Sequence, residues 1–166
     1  MAAEAEKRLH RCCFTGHRPE KLTQSEFEVK VWLREQIEQA VAEGYTTFIT
    51  VMAMGVDIWA GQIVVELKKA NPNLHLIAAV PWPGFSSRWH DDWKQQYQQL
   101  LADADLVREV KKSYSPSVFQ DRNEWMVNHS HRVIAYYNGQ AGGTRNTIDY
   151  AHSIEYPVEL IVGGIN

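Results

Sequence analysis

The feature that most constrains this chain is a regular alternation of short apolar segments with longer segments of helical periodicity. Apolar or β-branched runs at 11–15, 46–51, 74–80, 106–110, 133–137 and 158–162 predict six strands. The segments between them predict five helices: one that starts at the capping box of residues 23–26 and ends at Gly44, one from Ser117 through Val127, and three over 56–70, 87–102 and 144–153. Such alternation is typical of a mainly parallel sheet with helices on both faces. We therefore expect an α/β fold built as a three-layer sandwich.

Local signals place the ends of the first long helix. Thr23 and Glu26 have the spacing of a capping box, so we expect the helix to start there. Gly44 stands where a C-terminal cap belongs. The apolar positions of this predicted helix are Phe27, Val31, Leu33, Ile37, Ala40 and Val41.

Composition and charge bound the class of protein. The chain has 166 residues, 45% hydrophobic and 22% charged, which is typical of one globular domain. We expect a flexible tail over residues 1–9 and a single domain over 10–166. With no apolar run of membrane-spanning length and no apolar signal core in the first ten residues, we expect a cytoplasmic protein without a membrane partner. The formal net charge of -3 makes nucleic acid an unlikely partner.

Metal, cofactor and covalent chemistry have little support in the sequence. Cys12 and Cys13 are neighbours in a predicted strand and point to opposite faces, so we expect two buried free thiols. His129 and His131 are only two residues apart, without a Cys or acidic partner, and predict no metal site. The dinucleotide, P-loop and nucleophile-elbow motifs do not occur, so we expect no cofactor and no covalent nucleophile.

In a parallel sheet, ligands bind outside the carboxyl ends of the strands, so the strand-to-helix loops are the place to look for chemistry. The first predicted strand is followed by Gly16, His17 and Arg18. Gly55 opens the helix after the second strand, where free N–H groups can bind a phosphate. Asp57 is open to two interpretations, a structural helix cap or a functional carboxylate.

A second glycine-marked helix start follows the fifth predicted strand, at Gly142, Gly143 and Thr144. Paired glycines let a backbone approach a ligand closely, and two such starts on one sheet edge indicate a shared crevice. Arg122 and Asn123, near the start of another helix, are candidates for contacts to a phosphate and to a base or ribose. The alternative is that this pair is solvated surface.

Three tryptophans raise the question of a stacking surface. Trp82 stands between two prolines at the end of the third predicted strand and is the candidate for a ligand wall. Trp89 and Trp93 are four residues apart, which predicts the buried stripe of a helix instead.

Four segments, in chain order, carry a resemblance: residues 15–19 (TGHRP), 52–57 (MAMGVD), 122–123 (RN) and 142–144 (GGT). Together they resemble the DUF1273 family, also called the YpsA/YoqJ-like group. That family lies in the SLOG superfamily, with the DNA-processing protein DprA and the LOG cytokinin-activating enzymes. The resemblance spans nearly the whole chain. It implies a Rossmann-like fold with a pocket for a nucleotide or a nucleotide-derived ligand.

The resemblance also implies roles for residues of this chain. The implied pocket residues are Gly16, His17, Arg18, Gly55, Asp57, Arg122 and Asn123, with Gly142, Gly143 and Thr144 as the phosphate cradle. Two departures stand out. Relatives commonly have glycine where this chain has Val51, and the catalytic glutamate of the LOG motif is replaced by Thr147. Asp149, two residues later, lies on a different side of the predicted helix from Thr147. LOG-type hydrolysis therefore lacks its catalytic glutamate in this chain.

Three functional hypotheses follow. The first is a module that binds a nucleotide-derived small molecule as a sensor or sequestering protein. The alternative is a hydrolase of an N-glycosidic bond, with Asp57 or His17 as the proton donor. The third is DprA-like binding of single-stranded DNA, which the net charge of -3 disfavours. The resemblance further implies a homo-oligomer, most simply a dimer.

Overall fold

Six parallel strands form one sheet in a computed structural model that describes residues 3–164. The strands are β1 Arg11–Gly16, β2 Thr47–Thr50, β3 His75–Val80, β4 Leu106–Glu109, β5 Arg132–Tyr136 and β6 Glu159–Gly163. Their order in the sheet is β4-β3-β2-β1-β5-β6. The helices are α1 Glu4–Arg8, α2 Glu26–Ala42, α3 Val56–Ala70, α4 Asp91–Asp103, α5 Val118–Asn128 and α6 Gly143–Ser153, and a short 3-10 turn covers Pro19–Lys21.

Helices cover both faces of the sheet, so the predicted α/β three-layer fold is confirmed. One apolar cluster joins Cys12 and Phe14 of β1 to α2, α3 and α4, and a second joins Cys13 to α5 and α6. Side chains of a strand alternate between faces, which sends the two neighbouring cysteines into different clusters. Both thiols are free and buried, and burial raises the pKa of Cys13 to about 12.

The direction of strand addition reverses beside β1. The chain adds β2, β3 and β4 on one side of β1, then returns through α5 to place β5 and β6 on the other side. At the reversal, Gly16 of β1 pairs with Tyr136 of β5. Loops leaving two such strands turn to opposite faces of the sheet and open a crevice between them, which is where Rossmann-like folds bind ligands.

Helix α2 begins two residues later than the sequence predicted. Its N-cap is Ser25, whose hydroxyl accepts a hydrogen bond of 3.2 Å from the Glu28 N–H, whereas Thr23 lies outside the helix. Phe27 was expected to face the core, yet it is 76% exposed, and Val31 is also exposed. The buried stripe runs instead through Val29, Leu33, Ile37 and Ala40.

The predicted tail over 1–9 contains a helix that sequence reasoning missed. Helix α1 buries none of its residues and so has no apolar stripe to reveal it. Arg8 donates a 3.1 Å hydrogen bond to the Asn128 carbonyl and lies 3.5 Å from the centroid of the Tyr156 ring. Residues 1 and 2 lie outside the described residues, and the domain division at residue 10 stays a prediction.

The predicted helix over 87–102 starts four residues late, at Asp91, because a turn occupies the segment before it. The two tryptophans expected to form its buried stripe therefore diverge. Trp93 packs against Trp59 of α3, and Trp89 packs against Tyr97 from outside the helix. Within residues 3–164, no helix combines the length and the apolar character needed to cross a bilayer.

Candidate functional site

A cavity of about 410 Å³ lies at the carboxyl ends of the strands, beside the reversal point. Residues from the loops after β1, β2, β3 and β5 line it, together with one face of α5. Surface grooves of about 500 and 600 Å³ lie between α2 and α3 and along α3 and α4, but their lining holds none of the buried unpartnered polar atoms found in residues 3–164. The cavity lining includes the predicted site residues Gly16, His17, Arg18, Asp57, Arg122, Asn123, Gly142, Gly143 and Thr144.

Two glycines set the close packing of the first two loops. A Cβ on Gly16 would lie 2.4 Å from the Cβ of Val56, the first residue of α3. Gly55 has a φ of 93°, and a Cβ there would lie 2.8 Å from Pro19 Cδ. Gly55 does not line the cavity; it brings the first loop against the start of α3.

Thr50, the last residue of β2, holds Asp57 in place. The Thr50 hydroxyl donates a 2.7 Å hydrogen bond to the Asp57 carbonyl and accepts one of 3.2 Å from the Met52 N–H. Met52 carries a positive φ of 65°, whereas Val51 does not. A valine is therefore compatible with this loop, because the left-handed conformation falls on the next residue.

Arg122 and Asp57 are ionisable side chains buried in the cavity wall without full hydrogen bonding. Arg122 is 6% exposed and Asp57 is 3% exposed. Arg122 Nε and Nη1 and Asp57 Oδ1 have no partner. The guanidinium lies 5.4 Å from the centroid of the Phe119 ring and 5.9 Å from that of Phe85, which fixes its position. A buried unpaired polar group costs about 1–3 kcal/mol, so these atoms are poised to pair with a ligand.

The protonation states give this wall a net positive charge. Burial raises the pKa of Asp57 to about 8, although Arg122 and the Ala53 amide pull it down. Burial lowers the pKa of Arg122 to about 10, and Asp57 opposes that shift. At pH 7 the aspartate is therefore largely protonated while the arginine keeps its charge. A neutral carboxyl beside a guanidinium favours an anion.

His17 is the third buried side chain of the cavity lining with an unpartnered atom, its Nε2. Burial lowers its pKa, Lys21 lowers it further, and Asn138 opposes both. The imidazole is therefore neutral at pH 7 and can donate or accept a hydrogen bond. Its ring lies 5.6 Å from that of Tyr137, which holds it at the cavity edge.

The start of α6 forms an open backbone cradle. Gly142 has φ 149° and ψ -169°, a conformation available essentially only to glycine. A Cβ on Gly142 or on Gly143 would meet nothing within 4 Å, so the space before the helix is empty. The first amides of a helix have no partner within it and carry its positive dipole end. Thr147, at the position of the LOG glutamate, is buried and donates 2.9 Å to the Gly143 carbonyl within α6.

Trp82, the predicted ligand wall, does not line the cavity. The turn after β3 places Phe85 in the cavity wall. Trp82 packs against the rings of Phe85 and Phe119, with centroid distances of 5.3 Å and 5.8 Å. Phe85 and Phe119 line the cavity and were missed by sequence reasoning. One signal was available: Phe119, Arg122 and Asn123 have i, i+3, i+4 spacing and share a helix face. Among residues 3–164, no three His, Cys, Asp or Glu side chains form a metal-binding group.

The fold and this crevice define a class: an α/β protein of Rossmann-like topology with a polar pocket at the reversal point of its sheet. The model of the YspA SLOG family matches residues 12–162, and the chain belongs to this family. The resemblance stated from the four motifs is thereby confirmed.

Relatives by sequence support the same family. The chain is 34% identical over 128 residues to the uncharacterized SPbeta prophage-derived protein YoqJ of Bacillus subtilis, covering 69% of this chain and 75% of that one. It is 20% identical over 142 residues to the UPF0398 protein SH1465 of Staphylococcus haemolyticus, covering 81% and 76% of the two chains.

Solved structures share the fold at low sequence identity. DNA processing protein A from Helicobacter pylori, described with its single-stranded DNA binding mode, gives a TM-score of 0.62 at 19% identity, covering 96% of this chain and 66% of that one. The Moco carrier protein of Chlamydomonas gives 0.56 at 15% identity, covering 96% and 78%. At these identities the likeness shows the fold alone.

Proposed function

We propose that this protein binds a nucleotide or a nucleotide-derived small molecule in the cavity, as a sensor or sequestering module. One observation carries the proposal. Three buried side chains that line a single cavity, Arg122, Asp57 and His17, each carry a polar atom without a hydrogen-bond partner. A ligand with several hydrogen-bonding groups and a negative charge satisfies all three.

The phosphate of such a ligand belongs at the start of α6. Free amides and the helix dipole favour an anion there, and the glycines leave the space for it. Arg122 has two unpartnered N–H groups, which suit the paired oxygens of a phosphate. Arg18 and Lys21 line the cavity from the first loop and add positive charge.

Titration calorimetry with AMP, GMP, CMP and UMP tests the proposal. We expect saturable, one-to-one binding of at least one of them, with a dissociation constant that weakens as inorganic phosphate is added. Absence of heat and of thermal stabilisation with all four nucleotides would overturn it.

A second candidate is cleavage of an N-glycosidic bond, favoured by the raised pKa of Asp57. A carboxyl that is protonated near pH 7 suits the role of general acid to a departing base. The two candidates differ in the effect of Asp57→Ala. In a hydrolase this variant abolishes the release of free base from nucleoside monophosphates, followed by chromatography. In a binding module there is no release to lose, and the variant only changes affinity.

A further inference from the structure

Three cationic side chains line the cavity without an acidic partner. Arg18 and Lys21 are exposed and belong to the segment after β1, whereas Arg122 of α5 is buried in the cavity wall. None of the ion pairs among residues 3–164 includes any of the three. Asp57 is the only acidic residue of the described lining, and it is largely neutral at pH 7. The cavity therefore has one buried cation and two exposed ones.

The elements that carry these cations both contact the part of the chain that forms α6 and the loop before it. Asn138, in the loop between β5 and α6, donates a 3.1 Å hydrogen bond to the Lys21 carbonyl. Helix α5 packs against α6, with Met126 and Ala151 in one apolar cluster. Packing therefore ties both sources of positive charge to the segment whose free amides favour an anion.

The positive charge of the cavity exceeds what one phosphate neutralises. A phosphate monoester carries about 1.5 to 2 negative charges at pH 7. Three cations, together with a helix start equivalent to about half a positive charge, leave an excess when a monophosphate binds. A second, linked phosphate supplies a further ionised oxygen. Arg18 and Lys21 form no ion pair within residues 3–164, so pairing with that oxygen breaks none.

We propose that the ligand of this cavity is a nucleotide with two linked phosphates, a nucleoside diphosphate. One phosphate pairs with the unpartnered nitrogens of Arg122 and the start of α6. The other phosphate lies nearer to solvent and pairs with Arg18 and Lys21. This inference rests on the proposed function and narrows its ligand from nucleotides in general to diphosphates. Salt screens exposed charges more than buried ones, so the contribution of the second phosphate should fall first as ionic strength rises.

Titration calorimetry without divalent cations tests the second phosphate. It compares AMP, GMP, CMP and UMP with the diphosphates of the same bases. For the base that binds best, we expect the wild type to bind the diphosphate at least about tenfold more tightly, and added NaCl to reduce this preference. The double variant Arg18→Gln with Lys21→Gln should lose most of the preference, while its affinity for the monophosphate changes by less than about threefold.

Lys69→Gln with Arg88→Gln is the matched control. Both residues are exposed, neither lines the cavity, and neither belongs to an ion pair of the described residues. The control changes the net charge of the protein by the same amount as the test variant. It should therefore keep the preference of the wild type for the diphosphate.

The contrary results separate the two proposals. Equal wild-type affinity for the monophosphate and the diphosphate would overturn the second phosphate and leave nucleotide binding intact. A preference that survives in Arg18→Gln with Lys21→Gln, or that the control variant also loses, would do the same. So would an equal loss of both ligands in the test variant, since it would mark a structural effect of these two substitutions. Failure of the wild type to bind either ligand with any of the four bases would overturn the proposed function itself, and this inference with it.

Discussion

Arg122 is the residue on which phosphate recognition depends most. Its guanidinium is buried against two aromatic rings, and two of its nitrogens, Nε and Nη1, have no hydrogen-bond partner. Hydrogen bonds to charged groups contribute about 1.5–3 kcal/mol, so we expect Arg122→Ala to weaken nucleotide binding by about 10- to 150-fold. Titration calorimetry measures the loss. Arg108→Ala, which removes an exposed arginine from the edge strand β4, should change little.

Arg122→Lys refines the same prediction. A lysine retains the charge but loses the paired, planar donors of the guanidinium. An affinity between those of the wild type and Arg122→Ala is expected. A dissociation constant that stays at the wild-type value in both variants would remove Arg122 from the site.

The raised pKa of Asp57 predicts that nucleotide binding depends on pH. The sign follows from the raised pKa of about 8: below it the carboxyl is neutral, and above it a carboxylate repels the phosphate. The second pKa of a phosphate is near 6, so the ligand keeps its charge above pH 7. Wild-type affinity should therefore fall as pH rises through about 8, whereas Asp57→Asn should lack this fall and weaken only nearer pH 9.5, as Arg122, with a pKa of about 10, begins to lose its charge.

The same titration has an internal control. His17 contributes equally to the wild type and to Asp57→Asn. Arg122 has a pKa lowered to about 10 and loses its charge earlier in Asp57→Asn, because Asp57 raises the pKa of Arg122. The difference between the two curves therefore isolates Asp57 only up to about pH 8.5, below the range in which Arg122 titrates. A wild-type affinity that stays level to pH 9.5 would show that Asp57 is ionised throughout, held so by Arg122.

At the scale of elements, the start of α6 gives a matched pair of variants. Gly142 has a backbone conformation that alanine adopts only with strain, whereas Gly143 has no positive φ. Gly142→Ala should lower the free energy of unfolding by about 1–3 kcal/mol. Gly143→Ala should leave stability within about 0.5 kcal/mol while its methyl group enters the cradle and weakens phosphate binding. Urea unfolding and calorimetry measure the two effects; equal stability losses would contradict the conformational argument.

Elements whose ends are marked by glycine or proline were predictable from the sequence. The bounds of α3 agree with the predicted 56–70, because Gly55 opens the helix and Asn71 is followed by a proline that ends it. The start of α2 was misplaced because Thr23 and Ser25 both suit an N-cap. Helix α1 was missed because five polar and apolar residues without a buried stripe leave no periodic signal.

The parts of the site formed by glycines and charged residues were predictable from the sequence. The apolar residue Phe119, which lines the cavity instead of the core, was not. Glycines and charged residues in strand-to-helix loops identified most of the cavity lining. Phe119 follows the apolar pattern of α5, and only the rotation of that helix against the sheet decides whether it faces the core or the cavity. Met126 and Val127 of the same helix are buried. That rotation depends on long-range packing, and the local signal for it is the i, i+3, i+4 spacing that Phe119 shares with Arg122 and Asn123.

For the whole molecule, charge is unevenly distributed. The chain has a net charge of -3, yet Arg18, Lys21 and Arg122 line one cavity with Asp57 as a largely neutral partner. A small anionic ligand fits this concentration of charge better than a long nucleic acid, which needs a basic surface along its length. That nucleic acid is an unlikely partner stays a prediction, as does the homodimer.

Native mass spectrometry of the full chain, purified gently from its expression host, tests the central claim most directly. We expect the folded wild type to carry an adduct that denaturation releases with the mass of a nucleotide or a nucleotide derivative. Arg122→Ala should fold normally and lack that adduct, whereas Arg108→Ala should retain it. A wild type that is empty and stays empty after incubation with AMP, GMP, CMP and UMP, or an adduct that Arg122→Ala retains in full, would contradict a nucleotide site in this cavity.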